Sequence, residues 1–201
     1  MKVDEKELEI GANLGWVLPL NLPYTEYQLL VNTFANSPTA LDDKFINYLM
    51  DDFQEKIKEP ILTNVINVPS YLRSLLNECF DAFEKGHYQI CVPALFSVLE
   101  GILIDLCNEG DRSVVRYKRG LDEFIRNNKI QLMVFPLISI SRFIEISFSK
   151  SDFNSIDASM LNRHWSQHGR YLRDLTIKPV LQLFNVISVV LYTRLFLPKK
   201  L

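Results

Sequence analysis

The chain has few of the residues on which many function classes depend. Of its 201 residues, only 7 are Gly, 3 are Cys and 3 are His. It contains neither a G-x-G-x-x-G motif nor a P-loop, so nucleotide-binding α/β classes are poorly supported. The three cysteines (Cys79, Cys91 and Cys107) form no C-x-x-C pair, which favours reduced core thiols of a cytoplasmic protein. The start is acidic and has no apolar run, so we expect no signal peptide.

Neither sign of charge is in large excess. The formal net charge is -2, which excludes a generally cationic surface of the kind that coats nucleic acid but allows a local basic site. Hydrophobic residues make up 48% of the chain, enough to form a core, which argues against intrinsic disorder. The charge is uneven, with a net of -6 over residues 1–60 and of +4 over residues 61–201.

Apolar residues recur at helical spacing along most of the chain, which predicts an all-α helical bundle. Pro60 is expected to end a helix, and residues 61–68 to form a short strand or an extended connector. Pro136 is predicted to start a helix. The most apolar run, residues 180–197, is interrupted by polar residues and predicts a buried helix rather than a membrane span.

One segment combines residue types that suit phosphate chemistry. Two of the three histidines, His164 and His168, are four residues apart, so a helix places them on one face. Arg163 precedes His168 by five residues, which on an ideal helix separates the two by roughly 140°. We expect Asp157 or Ser159 to cap this helix and Gly169 to end it, so that the helix dipole favours an imidazolium at His168.

An imidazole beside a guanidinium can perform phosphoryl transfer, because the imidazole moves protons and the guanidinium binds the anionic phosphate. Arg170 and Arg173 add positive charge nearby. The string Asn162-Arg163-His164 followed by His168-Gly169 resembles the R-x4-H signature of the HEPN superfamily, whose members are helical bundles and include many metal-independent endoribonucleases of toxin–antitoxin and phage-defence systems. The resemblance covers about residues 69–201 and implies a HEPN-like helical bundle domain there, with residues 1–68 as an N-terminal helical extension packed on it.

This resemblance implies a mechanism and a set of partners. His168 would deprotonate a ribose 2′-hydroxyl or protonate the leaving 5′-oxygen, Arg163 would bind the scissile phosphate, and His164 would assist. Four residues are expected to bind substrate: Asn162, Glu100, Arg170 and Arg173. The products would be 2′,3′-cyclic phosphate and 5′-hydroxyl ends, formed without metal or cofactor. HEPN nucleases commonly dimerise, so RNA, a second copy and a cognate antitoxin are the expected partners of a cytoplasmic protein that does not enter membranes.

Other interpretations stay open. An i, i+4 histidine pair can bind zinc, with Glu100, Glu145 or Asp157 as a third ligand. Arg163 can instead pair with a carboxylate. Glu100 lies in an apolar stripe, where it either orients Arg163 or a histidine or reaches solvent at the stripe edge. A non-catalytic HEPN-like module that binds a nucleotide, RNA or protein is the main alternative function, and a structural helical protein is a further one.

Overall fold

A computed structural model describes residues 5–107, 117–127, 131–150 and 161–196. Within these ranges the chain is helical and contains no strand, which confirms the all-α class. The helices are α1 (Glu5–Asn13), α2 (Tyr24–Phe34), α3 (Pro38–Asp51), a π-helical turn (Gln54–Lys58), α4 (Glu59–Asn64), α5 (Ser70–Glu84), α6 (Tyr88–Cys107), α7 (Tyr117–Asn127), α8 (Gln131–Ser147), α9 (Arg163–Gln167) and α10 (Ile177–Arg194).

Helix α10 lies at the centre of the bundle, packed against α4, α6 and α8. Every residue from 180 to 191 is buried, which confirms the prediction of a buried helix. The Phe184 ring stacks on that of Phe80, with centroids 4.7 Å apart, and meets Phe53 and Phe83 edge-on. Apolar contact on all sides explains why this helix carries apolar residues around its whole circumference.

The polar residues of α10 bind the irregular segment that joins α1 to α2. Gln182 Nε2 donates to the carbonyl oxygen of Leu14 at 3.0 Å, and Asn185 Nδ2 donates to that of Val17 at 2.7 Å. Buried polar groups are usually paired in this way, because an unpaired one costs its full desolvation free energy. The two amides therefore fasten the N-terminal segment to the central helix.

The N-terminal region shares the core with the rest of the bundle. Trp16, Tyr27 and Phe45 are fully buried, and α1 packs on α8. The Tyr27 hydroxyl donates to the Trp16 carbonyl oxygen at 2.8 Å. Residues 5–68 thus pack closely on the bundle; the division between residues 68 and 69 stays a prediction.

Two proline-based expectations, those for Pro60 and Pro136, are wrong. Residues 59–64 form α4 rather than a strand, and Pro60 lies in the first turn of α4, where its missing N–H is tolerated. The chain reaches Pro60 through the π-turn, whose i→i−5 bond joins the Glu59 N–H to the Gln54 carbonyl. Pro136 lies inside α8, which begins at Gln131, and Pro93 lies inside α6. Tertiary packing therefore outweighs the local cost of these prolines.

The three cysteines are free thiols. Burial raises the pKa of Cys79 to about 12 and that of Cys91 to about 11.

By length and composition, helix α6 could cross a membrane, alone among the helices of the described ranges. Half of its residues are buried in the protein, however, and the core helix of a folded protein has the same length and composition.

Candidate functional site

The predicted site is a single helical turn, α9, that begins and ends with recognisable caps. Asn162 has an extended backbone, and its Oδ1 accepts the Trp165 N–H at 3.2 Å. The cap predicted at Asp157 or Ser159 is therefore wrong, since α9 begins only at Arg163; both of those residues lie outside the described ranges. Gly169 has φ of +61°, and the Arg170 N–H donates to the Trp165 carbonyl at 2.9 Å. These are the features of a Schellman C-cap, and they confirm Gly169 as the end of the helix.

Asn162 is held on all sides by the protein itself. It is only 8% exposed, and its Nδ2 donates to the Ser149 carbonyl oxygen at 3.2 Å. Its backbone N–H donates to the Tyr171 hydroxyl oxygen at 2.8 Å, and that hydroxyl donates back to the Asn162 carbonyl at 3.2 Å. Burial raises the pKa of Tyr171, so the phenol keeps the proton that it donates. Asn162 thus positions α9, and its contact with substrate stays a prediction.

Loss of this cap should loosen the turn. We expect Asn162→Ala to lower the free energy of unfolding by about 1 kcal/mol, because the Trp165 N–H loses its acceptor. Asn162→Ser, which keeps an acceptor oxygen at the cap, should recover most of the loss. Urea denaturation followed by circular dichroism measures both variants. An alanine variant as stable as the parent protein would show that the cap contributes nothing.

The two histidines share one face of the turn, as predicted. Their rings are nearly parallel, with centroids 5.9 Å apart and an angle of 18° between the planes. The His168 side chain is exposed and that of His164 is half-buried. Trp165, between them in sequence, is buried and lies near Tyr171. The imidazole pair is therefore accessible to a ligand from solvent.

Arg163 turns away from the imidazoles and toward helix α6. Its Nη2 lies 2.8 Å from Glu100 Oε2, and its guanidinium stands 5.7 Å from the ring centroid of Phe148. Glu100 therefore pairs with Arg163 rather than merely reaching solvent, which is equally the alternative in which Arg163 simply pairs with a carboxylate. An orienting role for Glu100, and its contact with substrate, stay predictions. The Arg163 Nε is buried and has no hydrogen-bond partner among the described residues. The side chain remains 29% exposed, so part of the guanidinium reaches solvent.

A second contact fixes α9 on α6. Gln167 Nε2 donates to the carbonyl oxygen of Pro93 at 3.2 Å. Nothing in the sequence pattern singled out Gln167, because its partner lies on a distant helix and the contact involves a backbone oxygen. Together with the Arg163–Glu100 pair, this bond holds the short turn in one orientation.

Two cavities flank the segment that follows α9. One, of about 560 Å³, borders the end of α9 and is lined in part by Ser166, Gly169 and Arg173. The other, of about 570 Å³, lies toward α1, α3 and α10. Arg173 lines both cavities, and Arg170 is exposed at the end of the turn. Neither lining includes Arg163 or the two histidines, so the arginine and the imidazoles of one chain do not converge in either cavity.

The zinc interpretation finds no third ligand in the described ranges. No group of three His, Cys, Asp or Glu side chains there has the proximity that a metal site needs. Glu100 pairs with Arg163, and Glu145 accepts from Arg142 Nη1 at 2.9 Å. Asp157 lies outside the described residues.

Comparison with protein-family models, with curated proteins and with solved structures yields no match to this chain. The HEPN resemblance therefore rests on the residues of the motif and on the helical fold around it.

Proposed function

We propose that the protein is a HEPN-like helical protein that acts on RNA and, within that class, a metal-independent endoribonuclease. His168 serves as the base that takes the proton from a ribose 2′-hydroxyl, or as the acid that protonates the leaving 5′-oxygen. The 2′-oxygen attacks phosphorus, the bond to the 5′-oxygen breaks, and the ends are a 2′,3′-cyclic phosphate and a 5′-hydroxyl. Arg163 stabilises the charge on the phosphate, and Glu100 acts as a positioning residue for Arg163.

The observation that carries this proposal is the geometry of α9. A capped turn, held on α6 at both ends, carries two nearly parallel imidazoles and, on the side of α6, a guanidinium that is 29% exposed. General acid–base catalysis needs an imidazole within hydrogen-bond reach of substrate, and His168 is exposed enough for that. A functional site also needs a rigid support that holds its groups in place.

Because Arg163 diverges from the histidines, the proposed nuclease site needs a second copy of the chain to complete it. Residues one position apart on a helix point about 100° away from each other, which matches Arg163 facing α6 and His164 facing its histidine neighbour. A second copy would bring its own turn across a shared cleft and supply the acid or base that one turn lacks. A dimeric nuclease of this kind suits a cytoplasmic toxin or phage-defence protein with a cognate antitoxin.

Incubation of the purified protein with RNA in excess EDTA tests the proposal. We expect cleavage to persist, with fragments ending in 2′,3′-cyclic phosphate, since no step is assigned to a metal ion. End-group analysis of the fragments, for example by sensitivity to a cyclic phosphodiesterase, identifies the products. Fragments with 3′-hydroxyl and 5′-phosphate ends would contradict this chemistry.

The Arg163–Glu100 pair also supports a second candidate, a non-catalytic RNA- or nucleotide-binding module. A carboxylate 2.8 Å from the guanidinium offsets part of the charge that a phosphate would meet. The same incubation separates the two functions, because a binder retards the mobility of RNA in a gel without shortening it.

A further inference from the structure

The cavity that lies toward α1, α3 and α10 is a cleft with an exposed rim and a buried floor. Thr39 and Thr176 are exposed at its rim, whereas Phe143, Ser147 and Gln182 are buried. Its volume of about 570 Å³ is within the range of about 300–1,000 Å³ that small-molecule sites occupy. The cleft is separate from the side chains proposed to cleave RNA, so any ligand that it binds serves a different purpose.

The floor of the cleft holds an amide whose acceptor is unused. Gln182 is 3% exposed, and its Nε2 donates to the Leu14 carbonyl oxygen at 3.0 Å. Gly15 has φ of +90°, and a Cβ there would collide with this amide, so the backbone packs closely on the side chain and holds it in place. The Gln182 Oε1 accepts no hydrogen bond from the residues that the structure describes. Because an unpaired buried acceptor is unfavourable, this oxygen favours a ligand that carries an N–H or O–H donor.

An ion pair in the same lining offers one charge of each sign. Lys178 Nζ lies 2.7 Å from Asp42 Oδ2, and the two side chains are 32% and 15% exposed. Asp42 Oδ1 also accepts the Trp16 Nε1–H at 2.8 Å, which fixes the carboxylate. An ammonium can donate to more than one acceptor and a carboxylate can accept from several donors, so each group can bind a further partner. Lys178 and Gln182 are four residues apart on α10, which places them on one face of that helix.

The rest of the lining favours a ligand without net charge. The charged residues among the described part of the lining are two acids and two bases: Asp42, Asp174, Arg173 and Lys178. Their formal charges cancel, so an anion such as a phosphate would meet no excess of positive charge. Apolar side chains complete the wall, among them those of Phe143, Ile146 and Leu161. The cleft therefore suits a molecule with an apolar body and a polar end that carries both a donor and an acceptor.

We infer that this cleft binds a free amino acid with an apolar side chain. The α-carboxylate pairs with Lys178, the α-ammonium donates to Asp42 and to the Gln182 Oε1, and the side chain contacts the apolar wall. Such a zwitterion has no net charge, and it gives both members of the ion pair and the buried amide oxygen a partner. An amine or a carboxylate of the same shape would satisfy only one member of the ion pair. This site goes beyond the proposed function and does not depend on RNA cleavage.

Titration calorimetry of the parent protein with L-phenylalanine at neutral pH tests the site. We expect saturable binding, and a dissociation constant about tenfold or more higher for three analogues that lack one charge or both: phenethylamine, 3-phenylpropionate and 3-phenylpropanamide. L-Serine, which keeps both charges but has no apolar side chain, should also bind more weakly. No binding of L-phenylalanine, or equal affinity for any of these four probes, would overturn the proposal.

Two variants with matched controls place the binding in this cleft. Lys178→Met keeps the aliphatic stem but removes the ammonium, and Asp42→Asn keeps an acceptor for Trp16. Each should raise the dissociation constant for L-phenylalanine about tenfold or more. Lys44→Met and Asp43→Asn change exposed residues of α3 that do not line the cleft, so both should bind as the parent protein does. Parent affinity in both Lys178→Met and Asp42→Asn would show that the amino acid binds elsewhere and would refute the site. Should a variant fail to fold, the series of probes on the parent protein still decides.

Discussion

Replacement of His168 by alanine should lower the rate of RNA cleavage by about 10²–10⁴-fold, the range expected when a general acid or base is removed. The His168 side chain is exposed, and its backbone N–H, which closes the turn by donating to the His164 carbonyl at 3.1 Å, is kept in the variant. The fold should therefore persist, and the loss should fall on catalysis alone. Initial rates on a labelled RNA in EDTA measure the effect.

His87 provides the control for this experiment. It is the third histidine of the chain and is exposed at the start of α6, at a distance in sequence from the turn. His87→Ala should cleave RNA at the parent rate, which separates a catalytic effect from a general loss of surface imidazole. Full cleavage by a folded His168→Ala protein would remove His168 from the mechanism and leave RNA binding as the role of α9.

Features that depend on neighbouring residues were predictable from the sequence. The shared face of His164 and His168 follows from their spacing of four, and the end of the turn at Gly169 follows from the freedom of glycine at positive φ. The helical class itself follows from periodicity that extends over many turns. The histidine pair and the glycine cap are decided by residues within one or two turns of each other, and the helical class by a spacing that repeats along the chain.

Features that depend on distant residues were not predictable. The sequence allowed Glu100 either to pair with Arg163 or to reach solvent. It could not decide between the two, because the outcome depends on how α9 docks on α6. The Gln89–Asp174 bond left no pattern at all, since it joins exposed polar residues from two distant segments. A helix of five residues is too short for periodicity to locate its start, so its N-cap was predicted too early in the chain.

The N-terminal region illustrates the same limit. Residues 1–68 were predicted as an extension packed on the bundle, and the apolar residues Trp16, Tyr27 and Phe45 are as deeply buried as those of α10. The amides Gln182 and Asn185 interrupt the apolar run of α10 because they bind the backbone of that region. The amides of α10 are explained only by the N-terminal backbone that they bind, and the position of that backbone only by α10, so the sequence of neither segment alone could predict the contact.

Phe184→Ala should destabilise the protein by about 3–5 kcal/mol, the usual cost of removing a large aromatic side chain from a closed core. The ring is fully buried and contacts three other phenylalanine rings, of which that of Phe80 is parallel to it at 3°. Phe80 and Phe83 belong to α5 and Phe53 directly precedes the π-helical turn, so removal of the ring leaves a cavity where α10 meets two other parts of the bundle.

Urea denaturation of the variant measures this loss, with Phe196→Ala as the matched control. Phe196 follows the end of α10 by two residues and is 43% exposed, so its removal should cost less than about 1 kcal/mol. Equal small losses in both variants would mean that the core repacks around the missing ring. Helix α6 also holds α9, through Glu100 and Pro93. If Phe184→Ala lowers the free energy of unfolding strongly but His168-dependent cleavage stays intact at low urea, the turn keeps its geometry until the bundle unfolds as a whole.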